Sequence, residues 1–333
     1  MSTYQPPFVI TPLILNQVIE VGELMGHWAA MAGRTSPLLR KENRIRTIQA
    51  SLAIEHNSLT TEQVTALMEG KRILAPAKDI QEVRNAILAY EKMSEWKSEK
   101  LSDLLQAHRV LMLGLVDNPG QLRTGNVGVY REKQLIHMAP PASQVFRLMN
   151  DLLGWLKTTE LHPLIAGAVF HYEFEFIHPF ADGNGRMGRL WQTLILREWR
   201  SELAWLPVET LIHYQQDRYY QVLGQCDRQS SCTLFIEFIL ENIISALQEG
   251  LGKSSALSEE MSEEMSEEMS PDLLDIEKRI LQILSNHPGR SAKSIADECE
   301  LSARTVERYL KALQLKGKLQ RVGATKGGMW RVI

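Results

Sequence analysis

The sequence predicts a mainly α-helical chain: one large helical domain carrying a short β-hairpin, then a small helix-turn-helix unit closed by a second hairpin. Three observations predict it. Apolar residues recur at helical spacing nearly everywhere from Leu13 to Leu247. Strand-like alternation within that stretch is confined to Val127–Ile136. A change of composition between Ser254 and Pro271 then separates a compact last segment from the rest.

The 333 residues suffice for about two domains. At 44% hydrophobic and 23% charged, the composition is that of an ordinary soluble globular protein. A net charge of −3 gives no global pull toward nucleic acid, so any such surface is local. Cys226, Cys232 and Cys299 contain no CxxC pair, which argues against a disulfide framework or a zinc site and fits a reducing cytoplasm. The N-terminus has no secretory signal pattern. The longest apolar run, Leu234 to Leu247, is interrupted by Glu237, Glu241 and Asn242, well short of the roughly 18 residues of a membrane helix. A cytoplasmic protein with no membrane partner is expected.

Residues 1–95 form an N-terminal helical region. One helix in it runs from about Glu42 to Asn57, with Ile45, Ile48 and Leu52 on one face. Thr60 and Gln63 form a capping box for the next, with Leu59 and Val64 placed as a hydrophobic staple. Residues 96–250 make up a helical core with the hairpin. Residues 251–271 carry SEEM three times, from Ser258, Ser262 and Ser266; they cannot bury a core and, as a solvated helix or a flexible segment, form a linker. In residues 272–333, helices at Ile276–Ser285 and Ser291–Glu298 precede a third capped by Ser302. Strands at Lys318–Val322 and Met329–Ile333 flank a Gly323–Gly328 loop, completing a winged helix.

The chemistry is concentrated in His178-Pro-Phe-Ala-Asp182-Gly183-Asn184-Gly185-Arg186-Met187-Gly188-Arg189. Apolar spacing resumes at Leu190, so this is a polar, glycine-rich loop running into a helix. Its amides and the positive helix N-terminus suit phosphate oxygens, and Gly183 and Gly185 permit close approach. Arg186 and Arg189, one turn apart, can clamp a polyphosphate. Asp182 is a hard oxygen ligand suited to magnesium. His178 is the one base in the loop that titrates near neutrality. Base, metal ligand and anion clamp together describe phosphate transfer. A plain glycine turn explains the glycines but not His178, Asp182 and both arginines.

This stretch resembles the signature of the Fic family, HPFx(D/E)GNGRxxR, at every fixed position. The resemblance implies a protein adenylyltransferase: AMP passes from ATP, with Mg²⁺, to a Ser, Thr or Tyr hydroxyl of a target protein. His178 would be the base, Asp182 the metal ligand, and the loop from Gly183 through Met187 and Gly188 to Arg189 the nucleotide cradle. Arg186 would meet the β-phosphate and Arg189 the γ-phosphate. Upstream, Arg123-Thr-Gly-Asn-Val127-Gly128-Val129-Tyr130 resembles the family's target-positioning flap, and Pro140-Pro141 follows as in family members. Tyr219, Tyr220 and Asp227 fall where the family contacts adenosine; helix packing is the plain alternative for the two tyrosines.

Ser51-Leu-Ala-Ile-Glu55-His56-Asn57 resembles the family's inhibitory motif (S/T)xxxE(G/N), with His56 in place of the usual Gly or Asn. The resemblance implies that Glu55 pairs bidentately with Arg189 and holds the enzyme back, and it admits a homodimer that tightens this brake. Glu55 could also orient a water for the reverse reaction, removing AMP. Transfer of another group, or a nucleotide-sensing DNA-binding regulator, are further readings. In the last unit, 12 Lys or Arg stand against 7 Asp or Glu from Pro271 to Ile333. Val306, Leu310 and Leu313 face inward while Arg304, Arg308 and Lys311 face outward. Lys316, Lys318, Arg321 and Lys326 extend the positive surface. DNA and protein partners weigh equally, with Glu307 on the outer face against DNA. His162 and His171 sit in an apolar helical stretch and read as packed. His137 lies near the flap.

Overall fold

The computed structural model describes residues 4–31, 37–131, 134–268, 271–299, 301–315, 317–322 and 329–332. Side chains at 29–31, 37–40, 129–131, 134–137, 205, 253–268, 271–275, 304, 308, 312, 315 and 322 lie outside the description. The chain divides into two units, residues 1–254 and 255–333.

In the first unit, α1 (Pro12–Met31), α2 (Pro37–Ala53), α3 (Thr61–Met68), α4 (Ala77–Lys92) and α5 (Leu101–Met112) precede a two-stranded antiparallel hairpin. The hairpin pairs β1 (Gly128–Arg131) with β2 (Gln134–Met138), with an irregularity between Val129 and Tyr130. Helices α6 (Ala142–Thr158), α7 (Pro163–Ile177), α8 (Asn184–Trp199), α9 (Val208–Tyr214) and α10 (Gln216–Gln229) follow, and α11 (Thr233–Glu268) starts in this unit. Among the described residues, no helix is long and apolar enough to cross a membrane.

Helices α7 and α8 form the centre of the core. All residues from Leu164 to Phe174 are buried, because α7 is apolar around its whole circumference. Pro163 opens that helix, and His162 Nδ1 accepts from the Leu164 amide at 3.3 Å. The Thr60–Gln63 capping box of α3 is formed, and Leu59 and Val64 are both buried.

The helix expected to reach Asn57 ends at Ala53 instead. Asn57 N–H bonds Leu52 O at 3.1 Å and His56 N–H bonds Ala53 O at 3.0 Å, a Schellman closure. His56 occupies its left-handed position with φ 67°. Gly or Asn suits that position best, which is the physical content of the usual residue there. Glu55 therefore sits at the helix cap rather than inside the helix.

The second unit contains α12 (Pro271–Asn286), α13 (Ala292–Cys299), α14 (Ala303–Leu315) and the pair β3 (Leu319–Val322) and β4 (Met329–Val332). The Ser302 hydroxyl caps α14 by accepting from Thr305 N–H at 3.1 Å. Val306, Leu310 and Leu313 are buried in a core with Ile280, Leu284, Ile295, Leu319 and Trp330. This is a winged helix. The Gly323–Gly328 loop and the side chains of Arg304, Arg308, Lys316 and Lys326 lie outside the described residues.

Candidate active site

The glycine-rich stretch is the connection between the two central helices. At the C-terminus of α7, His178 takes a left-handed conformation (φ 48°) while its amide still bonds Phe174 O at 2.9 Å. The chain thereby leaves the core at a fixed angle. Arg123, almost fully buried, donates from Nε to His178 O at 2.7 Å, from Nη1 to Gly125 O at 2.9 Å and from Nη2 to Pro140 O at 2.5 Å. One guanidinium thus ties the His178 backbone to both ends of the hairpin segment. Burial lowers its pKa. Asn126 Oδ1 accepts from Ala142 N–H at 2.9 Å, closing the flap onto α6.

Asp182 and Gly183 come next. His108 Nε2 lies 3.0 Å from Asp182 O, and its Nδ1 accepts from Gly120 N–H at 2.8 Å. The ring stacks on Phe180 at 3.7 Å. Those partners require the neutral tautomer with the proton on Nε2, and burial pushes the imidazole pKa down to about 4. Asp182 Oδ1 accepts from Gly183 N–H at 2.6 Å and from Arg186 Nη2 at 3.1 Å. More than half of the Asp182 side chain is exposed (57%), which leaves the carboxylate open to a cation. Gly183 has φ 84°, and a Cβ there would meet Met112 Sδ at 2.6 Å. Only glycine fits.

Asn184 closes the loop on itself: its Oδ1 accepts from Phe180 N–H and its Nδ2 donates to Phe180 O, both at 2.9 Å. The first amide bonded within α8 is Met187 N–H, to Gly183 O at 3.0 Å. The amides of 184–186 stand at the open, positive end of the helix. Met187 is fully buried, and a Cβ on Gly188 would strike Glu175 and His171 of α7. These two positions serve helix packing.

Both signature arginines are buried and paired. Arg189 Nη2 donates to Glu55 Oε1 at 2.8 Å and to Ser51 O at 2.9 Å, and Nε donates to Ser51 Oγ at 3.1 Å. The expected bidentate carboxylate pair is replaced by a fork shared between Glu55 and Ser51, because the cap geometry brings one carboxylate oxygen within reach. Burial pulls the Arg189 pKa down, but Glu55, together with Tyr219 and Tyr220, raises it so that it ends above its ordinary value. A Cβ on Gly185 would collide with the Glu55 carboxylate. Arg186 donates from Nη1 to Glu82 Oε1 at 3.1 Å.

Tyr219 is buried, its hydroxyl 3.2 Å from His171 Nε2, while Tyr220 is partly buried beside it, ring to ring at 5.2 Å. The Asp227 carboxylate accepts from Tyr172 OH at 2.8 Å. The flap strand β2 lies beside α10, which carries these residues. The side chains of Val129, Tyr130 and His137 lie outside the description. A cavity of about 450 Å³ opens between the flap base and the loop, bounded by His108, Arg123, Val127 and Asp182.

Sequence reasoning missed His108, Glu82 and Asn57, and gave Arg123 no role of its own. A signal existed for two of them. Glu82 shares the buried stripe of α4 with Asn85, Ala86 and Ala89, and His108 shares that of α5 with Leu104 and Leu111. Polar groups at apolar helical spacing are buried groups needing partners.

The family model described as Fic/DOC family matches residues 98–196, and one described as winged helix-turn-helix DNA-binding matches residues 273–320. The chain is similar to the protein adenylyltransferase Fic of Nematostella vectensis, 29% identical over 60% of this chain and 47% of that one. It is 29% identical to the protein adenylyltransferase Fic of Drosophila virilis, over 70% of this chain and 48% of that one. It therefore spans about half the length of these curated relatives. A solved Fic family protein from Desulfovibrio desulfuricans G20 is 45% identical, covering 99% of this chain and 98% of its own with a TM-score of 0.75.

Proposed function

The chain belongs to the Fic family, and from that premise we propose that it is a protein adenylyltransferase that moves AMP from ATP to a Ser, Thr or Tyr hydroxyl of a target protein, held back by Glu55. The observation that carries this is the complete signature, folded as one loop between the buried helices α7 and α8, with its second arginine occupied by Glu55 and Ser51.

In this reading His178 takes the proton of the target hydroxyl, whose oxygen attacks the α-phosphorus. The O–P bond forms as the bond to pyrophosphate breaks. The open amides of 184–186 receive the developing phosphate charge, a contribution of about 3–4 kcal/mol for a well-placed donor. Arg186 and Arg189 hold the β- and γ-phosphates, and Tyr219, Tyr220 and Asp227 border the adenosine. The flap, fixed at both ends by Arg123, presents the target segment by strand addition.

The donor set suits magnesium shared with a polyphosphate. Asp182 offers one exposed hard carboxylate, and no group of three or more metal-binding side chains gathers among the described residues. When bound, Mg²⁺ would supply charge neutralisation across the phosphates. With Glu55 on Arg189, the γ-phosphate lacks its partner and ATP is not held productively.

The test uses ATP labelled at the α-phosphate, with Mg²⁺, and compares wild type, Glu55→Gly and Glu55→Gly/His178→Ala. Strong label on protein in the Glu55→Gly lane, a small fraction of it in wild type and none in the double variant is the expected result. No label in any lane, with lysate supplied as target, would overturn the reading in favour of another donor or the reverse reaction.

For the second unit we propose a nucleic-acid partner, favoured by the DNA-binding description of the matching family model. Lys311 and Arg321 border a groove of about 670 Å³ together with Glu307 and Trp330. Binding to duplex DNA should weaken steeply with salt and lose slope on Lys311→Ala. Salt-independent retention on a protein partner would favour a docking role.

A further inference from the structure

Glu82, the partner of Arg186, is a carboxylate only 5% exposed. A fold that buries such a charge must pair both oxygens. Glu82 Oε1 accepts from Arg186 Nη1 at 3.1 Å, and Oε2 accepts from Asn57 Nδ2 at 2.8 Å. Asn57 is itself fixed: Nδ2 also donates to Asp79 O at 3.1 Å, Oδ1 accepts from Leu59 N–H at 3.1 Å, and its amide closes the turn after α2. That turn carries Glu55. A continuous set of bonds therefore runs from the Glu55 turn, through α4, to the first arginine of the signature.

The two carboxylates on Arg186 differ in surroundings. Asp182 is mostly exposed and is the group suited to a cation, whereas Glu82 is enclosed, at 6% side-chain exposure. If Asp182 alone aimed Arg186, engagement of Asp182 by a cation would release the guanidinium. A second, permanent counter-charge keeps it aimed.

We propose that Glu82 is the positioning residue that aims Arg186 at the β-phosphate, and that Asn57 makes this aim depend on the turn bearing Glu55. This rests on reading Arg186 as a polyphosphate ligand. Both arginines then respond to one turn: Arg189 through direct contact with Glu55, and Arg186 through Asn57 and Glu82.

The experiment is calorimetric titration of AMP and of ADP, with Mg²⁺, into the full chain in the Glu55→Gly background, with and without Glu82→Gln or Asn57→Ala. A Gln at 82 has one acceptor and one donor end, so it must lose either Arg186 or Asn57. ADP affinity should fall about tenfold, the size of one charge-assisted hydrogen bond, with AMP affinity unchanged. Asn57→Ala should shift ADP in the same direction by about threefold while leaving AMP unchanged. A residue that only props up the fold would weaken both nucleotides alike. Equal shifts for AMP and ADP, or none, overturn the proposal. If Glu82→Gln does not fold, an unchanged ADP-to-AMP ratio in Asn57→Ala overturns it instead. A parent protein that binds ADP no better than AMP would strike down the reading of Arg186 itself, which is a distinct failure.

Discussion

Replacing Glu55 by glycine tests the resting state directly. The change removes one of three bonds on Arg189, the 2.8 Å contact to Glu55, and leaves those to Ser51 Oγ at 3.1 Å and Ser51 O at 2.9 Å. A charge-assisted hydrogen bond contributes about 1.5–3 kcal/mol. Because the Glu55 side chain is 30% exposed, the lower part of that range applies, about 1.5–2 kcal/mol. At about 1.4 kcal/mol per decade, AMP transfer at subsaturating ATP should rise ~10- to 30-fold. Arg189, at 1% exposure, would also lose its counter-charge, so the nucleotide-free protein should lose about 1–3 kcal/mol of stability. ATP should restore more of it in the variant than in wild type. Initial rates with α-labelled ATP, together with thermal melts with and without ATP, measure both quantities. A rate within about twofold of wild type and an unchanged ATP-induced melting shift would refute the assignment of Glu55 as the brake.

Other outcomes follow from single positions. His56→Gly relieves the left-handed backbone at φ 67° and should stabilise the protein by about 0.5–1 kcal/mol in urea unfolding; a loss would contradict the cap geometry. Gly183→Ala meets both φ 84° and the Met112 side chain and should cost about 2–4 kcal/mol, with no rescue by ATP. His171 is enclosed between Gln192 and Tyr219, and burial pushes its pKa down to about 3. The unfolded chain takes up a proton on this residue below about pH 6.5 while the folded one refuses it. The stability is therefore complete above that pH and is lost as pH falls toward 3. Between pH 7 and pH 5 the unfolding free energy should drop by about 2 kcal/mol, and His171→Phe should flatten that part of the profile.

What the sequence shows best is local. The signature is contiguous, so its residues are legible as a unit, and so is the capping box at Thr60. The winged helix is legible from the order of its periods. The contact of Ser51 and Glu55 with Arg189 spans more than 130 positions and is visible from spacing only because a family pattern joins the two segments. Arg123, His108 and Glu82 escape for a different reason. Each acts on a backbone carbonyl or a side chain brought near by packing, and nothing in the residues around it names the partner. The end of α2 escapes because a left-handed histidine gives no sequence signal of termination, where glycine would have.

The anchoring of α2 also decides how the proposed brake is released. Ile48, Leu52 and Ile54 are 2% exposed or less, Gln216 Nε2 donates to Ile54 O at 2.9 Å, and Arg46 pairs with Glu249 at 2.9 Å. Withdrawing the helix would expose three large side chains at about 1.5–3 kcal/mol each, comparable with the whole stability of a domain. Rotating the Glu55 side chain away costs one charge-assisted bond, about 1.5–2 kcal/mol. Release is therefore a side-chain movement on a fixed helix. That energy corresponds to roughly 3–10% of molecules released at rest. Wild type should accordingly retain about that fraction of the Glu55→Gly rate. A wild-type rate far below it would mean that the turn, and not the side chain alone, holds the site closed.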